Sequence, residues 1–124
     1  MFNVNALEIV APGLRGPVGD YLDHGRRVGL ALATVSARER HLVTFLIFAG
    51  LAGVRDVSDI TPTLMVHYTE GLTALGVHPA TVQAYLHTVA MFLRWCSTHP
   101  RLVVADGVMA LLSANYARKQ ATKS

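Results

Sequence analysis

Six histidines, at positions 24, 41, 67, 78, 87 and 99, are the first residues here whose chemistry invites a site. A zinc site takes its ligands at short fixed spacings, such as His-Glu-x-x-His on one helix face or a Cys-x-x-Cys pair. Neither pattern occurs. Cys96 and His99 stand at a ligand-like spacing, but nothing nearby in the sequence completes a set, so no metal and no other cofactor is expected. The chain also has no Gly-x-x-x-x-Gly-Lys phosphate loop and no Gly-x-Ser-x-Gly nucleophile elbow. Its carboxylates are few and scattered, which argues against a two-carboxylate hydrolase site. No catalytic residue, and no small-molecule substrate, is expected.

Binding chemistry is better represented. Ser36, Arg40 and Thr44 follow an i, i+4, i+8 spacing and would share a helix face turned away from Leu42, Phe45 and Leu46. Gln83, His87 and Arg94 do much the same on a second stretch beginning at Pro79. Hydroxyl, amide, imidazole and guanidinium groups are the donors that reach phosphate oxygens and base edges. Thr34, Ser36 and Thr81 also fall near expected helix starts, where exposed amides favour anions. The same pattern equally suits the solvated face of an ordinary bundle.

The elements that must position these residues follow from apolar spacing. Residues 1–17 hold Pro12, Gly13, Gly16 and Pro17 and read as a mobile lead-in. A weak helix is expected from Val18 to Leu32, where Gly19, Gly25 and Gly29 each cost about 1 kcal/mol relative to Ala. Ser36 with Glu39 makes a capping-box pattern, with Thr34 as the other candidate cap. Leu42, Phe45, Leu46 and Ala49 then form an apolar stripe that Gly50 and Gly53 close. After a loop carrying Asp56, Ser58 and Asp59, Thr61-Pro62 reads as an N-cap followed by proline at the first helical position. Leu64, Tyr68, Leu72 and Leu75 mark the expected buried side of that helix, and Gly76 its C-terminal stop.

The strongest stripe is Val82, Tyr85, Leu86, Val89, Phe92, Leu93 and Cys96, opened by His78-Pro79 and stopped by Pro100. A last helix is expected from Asp106, using Val108, Leu111, Leu112 and Tyr116. Nothing alternates with a period of two beyond the short run Leu102-Val103-Val104. The expected fold is all-α, a compact bundle of four to five helices over residues 18–118, followed by a basic tail at 119–124.

Composition fits that reading. Hydrophobic residues make up 52% of the 124 positions and charged ones 15%, enough for one packed domain and against wholesale disorder. Mean hydropathy is positive, but the two stretches free of Asp, Glu, Lys and Arg (41–54 and 71–93) fail as membrane spans. A span needs roughly 20 apolar residues; the first is too short and Gly76, His78-Pro79, Gln83 and His87 break the second. The opening residues lack the basic and apolar regions of a signal peptide, so a soluble, cytoplasmic protein without membrane contact is expected. The lone Cys96 fits a reducing compartment and a packing role. A net charge of +3 permits nucleic-acid binding without demanding it.

The order Thr34-Val35, Arg40 and Leu42, followed by an aromatic-rich apolar run through Phe45 and Phe48, resembles the first conserved helix of a known domain. That domain is the SAM-like, core-binding N-terminal domain of phage integrases and Xer-type tyrosine recombinases. The segment Asp56 to Gly76, with Asp59-Ile60-Thr61-Pro62, is similar to the family's middle helix, and Thr81 to Trp95 to its last long helix. The resemblance covers roughly residues 30 to 105 and implies a helical bundle that forms half of a clamp on double-stranded DNA.

Carried over by position, the implied contacts are Thr34, Ser36, Arg40, His41 and Thr44 on one helix, and Thr81, Gln83, His87 and Arg94 on the other. Arg38 stands where the family usually has Tyr, and Ala90 and Met91 where it often has Arg, so a weak grip with a shallow salt dependence is implied. The family's catalytic residues lie downstream of this region. His24-Gly25-Arg26-Arg27 matches His-x-x-Arg only as letters, upstream and out of order. The implied protein is a recombinase DNA-binding module, alone or with partner protomers, that cuts nothing by itself. The alternative is a small helical protein-interaction module, homodimeric and without DNA.

Overall fold

The computed structural model describes residues 10–111, and among these the regular structure is entirely helical. Four α-helices, α1 (Pro12–Arg27), α2 (Leu32–Leu51), α3 (Pro62–Ala74) and α4 (Pro79–Ser97), pack as a small bundle, with a 3-10 turn at Val57–Asp59 between α2 and α3. The backbone is helical again over residues 108–111. The expectations for Leu112, Tyr116, the tail at 119–124 and the first nine residues lie outside the described residues.

Where caps are local, the helices start as the residues dictate. The Thr61 hydroxyl accepts from the Leu64 amide at 3.1 Å, with Pro62 at the first helical position. At α4 the N-cap is His78, whose Nδ1 accepts from the Ala80 amide at 3.1 Å, again ahead of a proline.

Helix α1 departs from expectation. It begins at Pro12 and not at Val18, so the glycine and proline residues of the supposed lead-in are its first turns. Pro12 suits the first helical turn, where its missing N–H would be unsatisfied anyway, whereas Pro17 lies inside the helix and removes one backbone hydrogen bond there. Gly13 permits a close approach: a β-carbon there would lie 2.7 Å from the Arg55 carbonyl oxygen and 3.1 Å from the Asp56 β-carbon. That approach packs α1 onto the loop that Asp56 and Asp59 organise. The Asp56 carboxylate accepts from the Ser58 amide at 2.8 Å and from the Ser58 hydroxyl, and Asp59 accepts from the Arg55 amide at 3.0 Å. Those bonds from Ser58 hold the Asp56 carboxyl below its ordinary range.

The α1–α2 corner explains a second departure. Gly29, at φ +84°, ends α1 by donating to the Arg26 carbonyl while Leu30 donates to that of Gly25, so α1 stops at Arg27 and not at Leu32. α2 then starts at Leu32 behind Ala31, with no side-chain cap. Thr34 and Ser36 therefore sit inside the helix. Glu39, expected to close a capping box, lies 3.6 Å from Arg26 of α1 instead.

The core joins Leu14 and Val18 of α1, Leu42, Phe45 and Leu46 of α2, Met65 and Tyr68 of α3, and Val89, Phe92 and Leu93 of α4. Each buried side chain of this size contributes about 1.5–3 kcal/mol relative to exposure. Leu75 is the exception to the α3 expectation. It caps the helix beyond Ala74 and points outward at 82% exposure, and Met65 takes a place on the buried side. Two edge-on ring sets tie the layers: Tyr21 with Phe92 at 5.6 Å, and Phe45 with Tyr68 at 5.1 Å. No described helix is long and apolar enough to cross a membrane.

Candidate nucleic-acid interface

Helices α2 and α4 pack directly on one another and run in opposite directions. Tyr21 links Arg38 of α2 to Phe92 and Trp95 of α4, whereas His41, one turn further along α2, meets Tyr85 and Thr88, earlier in α4. Both helices bury one stripe, so their opposite sides form adjoining strips of surface.

On α2, Leu42, Phe45, Leu46 and Ala49 face inward, and this turns Ser36 and Arg40 out to solvent. Thr34 is exposed in the first turn. Thr44 is half-buried, and its hydroxyl donates to the Arg40 carbonyl at 3.1 Å. On α4, the buried stripe Val82, Leu86, Val89 and Phe92 turns His87 and Arg94 outward, with Gln83 half-buried beside them. Thr81 is exposed, but the first amides of α4 are already engaged. Ala80 donates to the His78 ring, and Thr81 to the His78 carbonyl at 2.9 Å, so this helix start is largely satisfied from within.

His41 goes elsewhere. It is half-buried between the helices, with Nδ1 2.7 Å from the Thr88 hydroxyl and its ring 4.5 Å from that of Tyr85. Burial, and after it the neighbouring Arg40 charge, push its pKa below the ordinary imidazole value. A ring held this way does not reach outward with its Nδ1.

The cations differ in what they meet. Arg26 lies 2.7 Å from Asp23 and 3.6 Å from Glu39. Arg38, at the position where the resemblance would place a tyrosine, sits with its guanidinium carbon 5.8 Å from the Tyr21 ring centre, a cation–π contact. Arg40 and Arg94 have no carboxylate within ion-pair distance among the described residues. Beside Arg40 a surface depression of about 300 Å³ is lined by Glu39, Arg40, Val43, Thr44 and Tyr85.

Two members of this region escape a reading of spacing alone. Tyr85 belongs to the α4 stripe by period, yet it is half-buried, stacks on His41 and lines the depression. Thr88 is buried at 5% exposure, and the only signal for it was a hydroxyl beside Val89 in an apolar helix.

Tyr21, beside the His-x-x-Arg letters, is buried at 5% exposure among Phe92 and Trp95. Burial raises its pKa, the reverse of what a nucleophilic tyrosine needs. No group of histidine, cysteine and carboxylate side chains among the described residues could hold a metal ion.

The surface can thus offer two guanidinium groups, hydroxyls, an amide and an imidazole from two helices to a polyanion. No protein family, curated protein or solved structure matches the chain.

Proposed function

We propose that this chain is a DNA-binding module of the kind it resembles, the core-binding domain of a site-specific tyrosine recombinase. In this reading it grips duplex DNA with α2 and α4 during recombination or integration of a mobile element, in the cytoplasm, and performs no strand chemistry by itself. The observation that carries the reading is the pair of exposed arginines, Arg40 and Arg94. They stand on the outward sides of two adjoining helices, without a carboxylate partner among the described residues. Thr34, Ser36, Thr81, Gln83 and His87 flank them with hydrogen-bonding groups of the kind that position a protein on phosphate oxygens.

The strength of the grip follows from the count of cations. Each neutralised phosphate contributes about −0.9 to the slope of log K against log salt on B-form DNA. With Ala90 and Met91 on α4 where arginine would add contacts, the slope should be shallow and the affinity of the module alone modest. Further recombinase protomers or a catalytic domain would supply the rest.

A gel shift against duplex DNA at two salt concentrations tests this. Salt-sensitive binding that is abolished by Arg40→Glu with Arg94→Glu is the expected result. Absence of salt-sensitive binding at micromolar protein, or binding indifferent to both substitutions, overturns the reading. The second reading, a homodimeric protein-interaction module, has one observation in its favour: Ile47 and Leu51 of α2 are exposed at 40% and 73%. A dimer mass in size-exclusion chromatography that Leu51→Lys reduces to a monomer would support it.

A further inference from the structure

We infer that His41 is the positioning residue of the α2–α4 surface: its hydrogen bond to Thr88 sets the register in which the two helices present their outward side chains. The inference rests on the DNA reading above and adds to it how the interface is held. The hydrophobic force between helices packed through leucine, valine and phenylalanine has no direction of its own, so only the fit of side chains sets their register. A hydrogen bond adds a directional restraint, because it weakens steeply beyond about 3.2 Å and at bent angles.

The geometry at this point is specific. The Thr88 oxygen lies 2.7 Å from His41 Nδ1 and 3.2 Å from the Ala84 carbonyl. The hydroxyl has one proton. Given to Ala84, it leaves the oxygen to accept from Nδ1–H; given to His41, it makes the same link in the other sense. Tyr85, one turn before Thr88, closes on the ring at 4.5 Å and 37°. One turn of α4 therefore grips a single side chain of α2.

What the grip fixes follows from the chain. Arg40 is the residue before His41 and is exposed where His41 is not. His87 is likewise the exposed neighbour of the buried Thr88. A helix turns about 100° and rises about 1.5 Å per residue. A slip of one residue between α2 and α4 would thus re-aim Arg40 relative to Gln83, His87 and Arg94 and break their joint placement on one DNA backbone. The charged and titratable groups around the ring are Arg40 on α2 and Tyr85 on α4; burial first, and then the Arg40 charge, favour the neutral ring.

The test uses the full chain and a fluorescent duplex, with affinity measured over a salt series and helicity and melting followed in parallel. Thr88→Val keeps the shape and removes the hydroxyl. The expected result is a folded variant whose salt slope is shallower by about 0.9, the loss of one phosphate contact, with the wild-type slope restored by Thr88→Ser. Thr88→Ala serves if the valine variant does not fold. An unchanged slope and affinity overturns the inference, as does a loss of affinity wholly explained by a smaller folded fraction at unchanged slope, because a merely structural contact does only that. The two levels separate. If the wild-type chain shows no salt-sensitive binding, the DNA reading fails and takes the positioning role with it. If the wild-type chain and Arg40→Glu behave as the DNA reading requires while Thr88→Val matches wild type, only the positioning role fails.

Discussion

Replacing Gly13 by alanine pits two effects of opposite sign against each other. In a helix interior, glycine to alanine gains about 1 kcal/mol, and less in a first turn such as this one. Against that, the new β-carbon would sit 2.7 Å from the Arg55 carbonyl oxygen and 3.1 Å from the Asp56 β-carbon. The first neighbour is backbone, and the loop carrying it is braced by Asp56 and Asp59, so neither can swing aside as a flexible side-chain tip would. Overpacking of this kind costs about 1–3 kcal/mol. The clash exceeds the propensity gain, and a net loss of roughly 1–2 kcal/mol is expected, which lowers the melting temperature by about 4–8 °C for a chain of this size.

Gly71→Ala is the internal control. It lies within α3, where an added β-carbon would meet nothing within 4 Å, and a gain of about 0.5–1 kcal/mol is expected there. Thermal melts followed by circular dichroism, with calorimetry to fix the enthalpy, compare the two variants. A Gly13→Ala melting point equal to or above wild type, with Gly71→Ala behaving as expected, would refute the packing of the α1 start onto the 55–59 loop.

Further predictions concern the buried polar groups. The Tyr68 hydroxyl is buried without a hydrogen-bond partner among the described residues, and its burial, with Tyr85 nearby, raises its pKa strongly. Such a group costs about 1–3 kcal/mol, so Tyr68→Phe should stabilise the fold in urea denaturation, and a destabilised variant would show that the hydroxyl is satisfied. Acidification should weaken the fold through His41. Because its folded pKa lies below the ordinary value of 6.5, the unfolded chain takes up the proton first. Stability is then complete above pH 6.5 and declines as pH falls through that value. Melting points at about pH 7.5 and about pH 5 should diverge, and His41→Gln should narrow the gap; an unchanged gap refutes the assignment. Burial pushes the Cys96 thiol up to about 12. A thiol reagent should therefore label it only as fast as the protein unfolds, and rapid labelling of native protein would contradict its burial.

How much of this was legible in the sequence depended on how far apart the interacting residues lie. The starts of α3 and α4 were readable because Thr61 and His78 cap amides two or three residues on, and proline follows each. The apolar stripes of α2 and α4 were readable because a helix repeats every 3.6 residues and the buried side must follow that period. The outward placement of Ser36, Arg40, His87 and Arg94 came with the stripes, as their geometric complement.

Other features depended on partners remote in the chain. Gly13 looked like a breaker until Arg55 stood against it, and Glu39 looked like half of a cap until Arg26 came within 3.6 Å. Leu75 fitted the apolar period and is exposed because the helix ends one residue earlier. His41, an equal candidate with Arg40 by sequence, turns inward only because Tyr85 and Thr88 of α4 are there to receive it. Local chemistry and periodicity are settled among residues within a turn of one another. The side to which a half-polar residue turns is settled by whatever packs across from it, and only the assembled bundle specifies that.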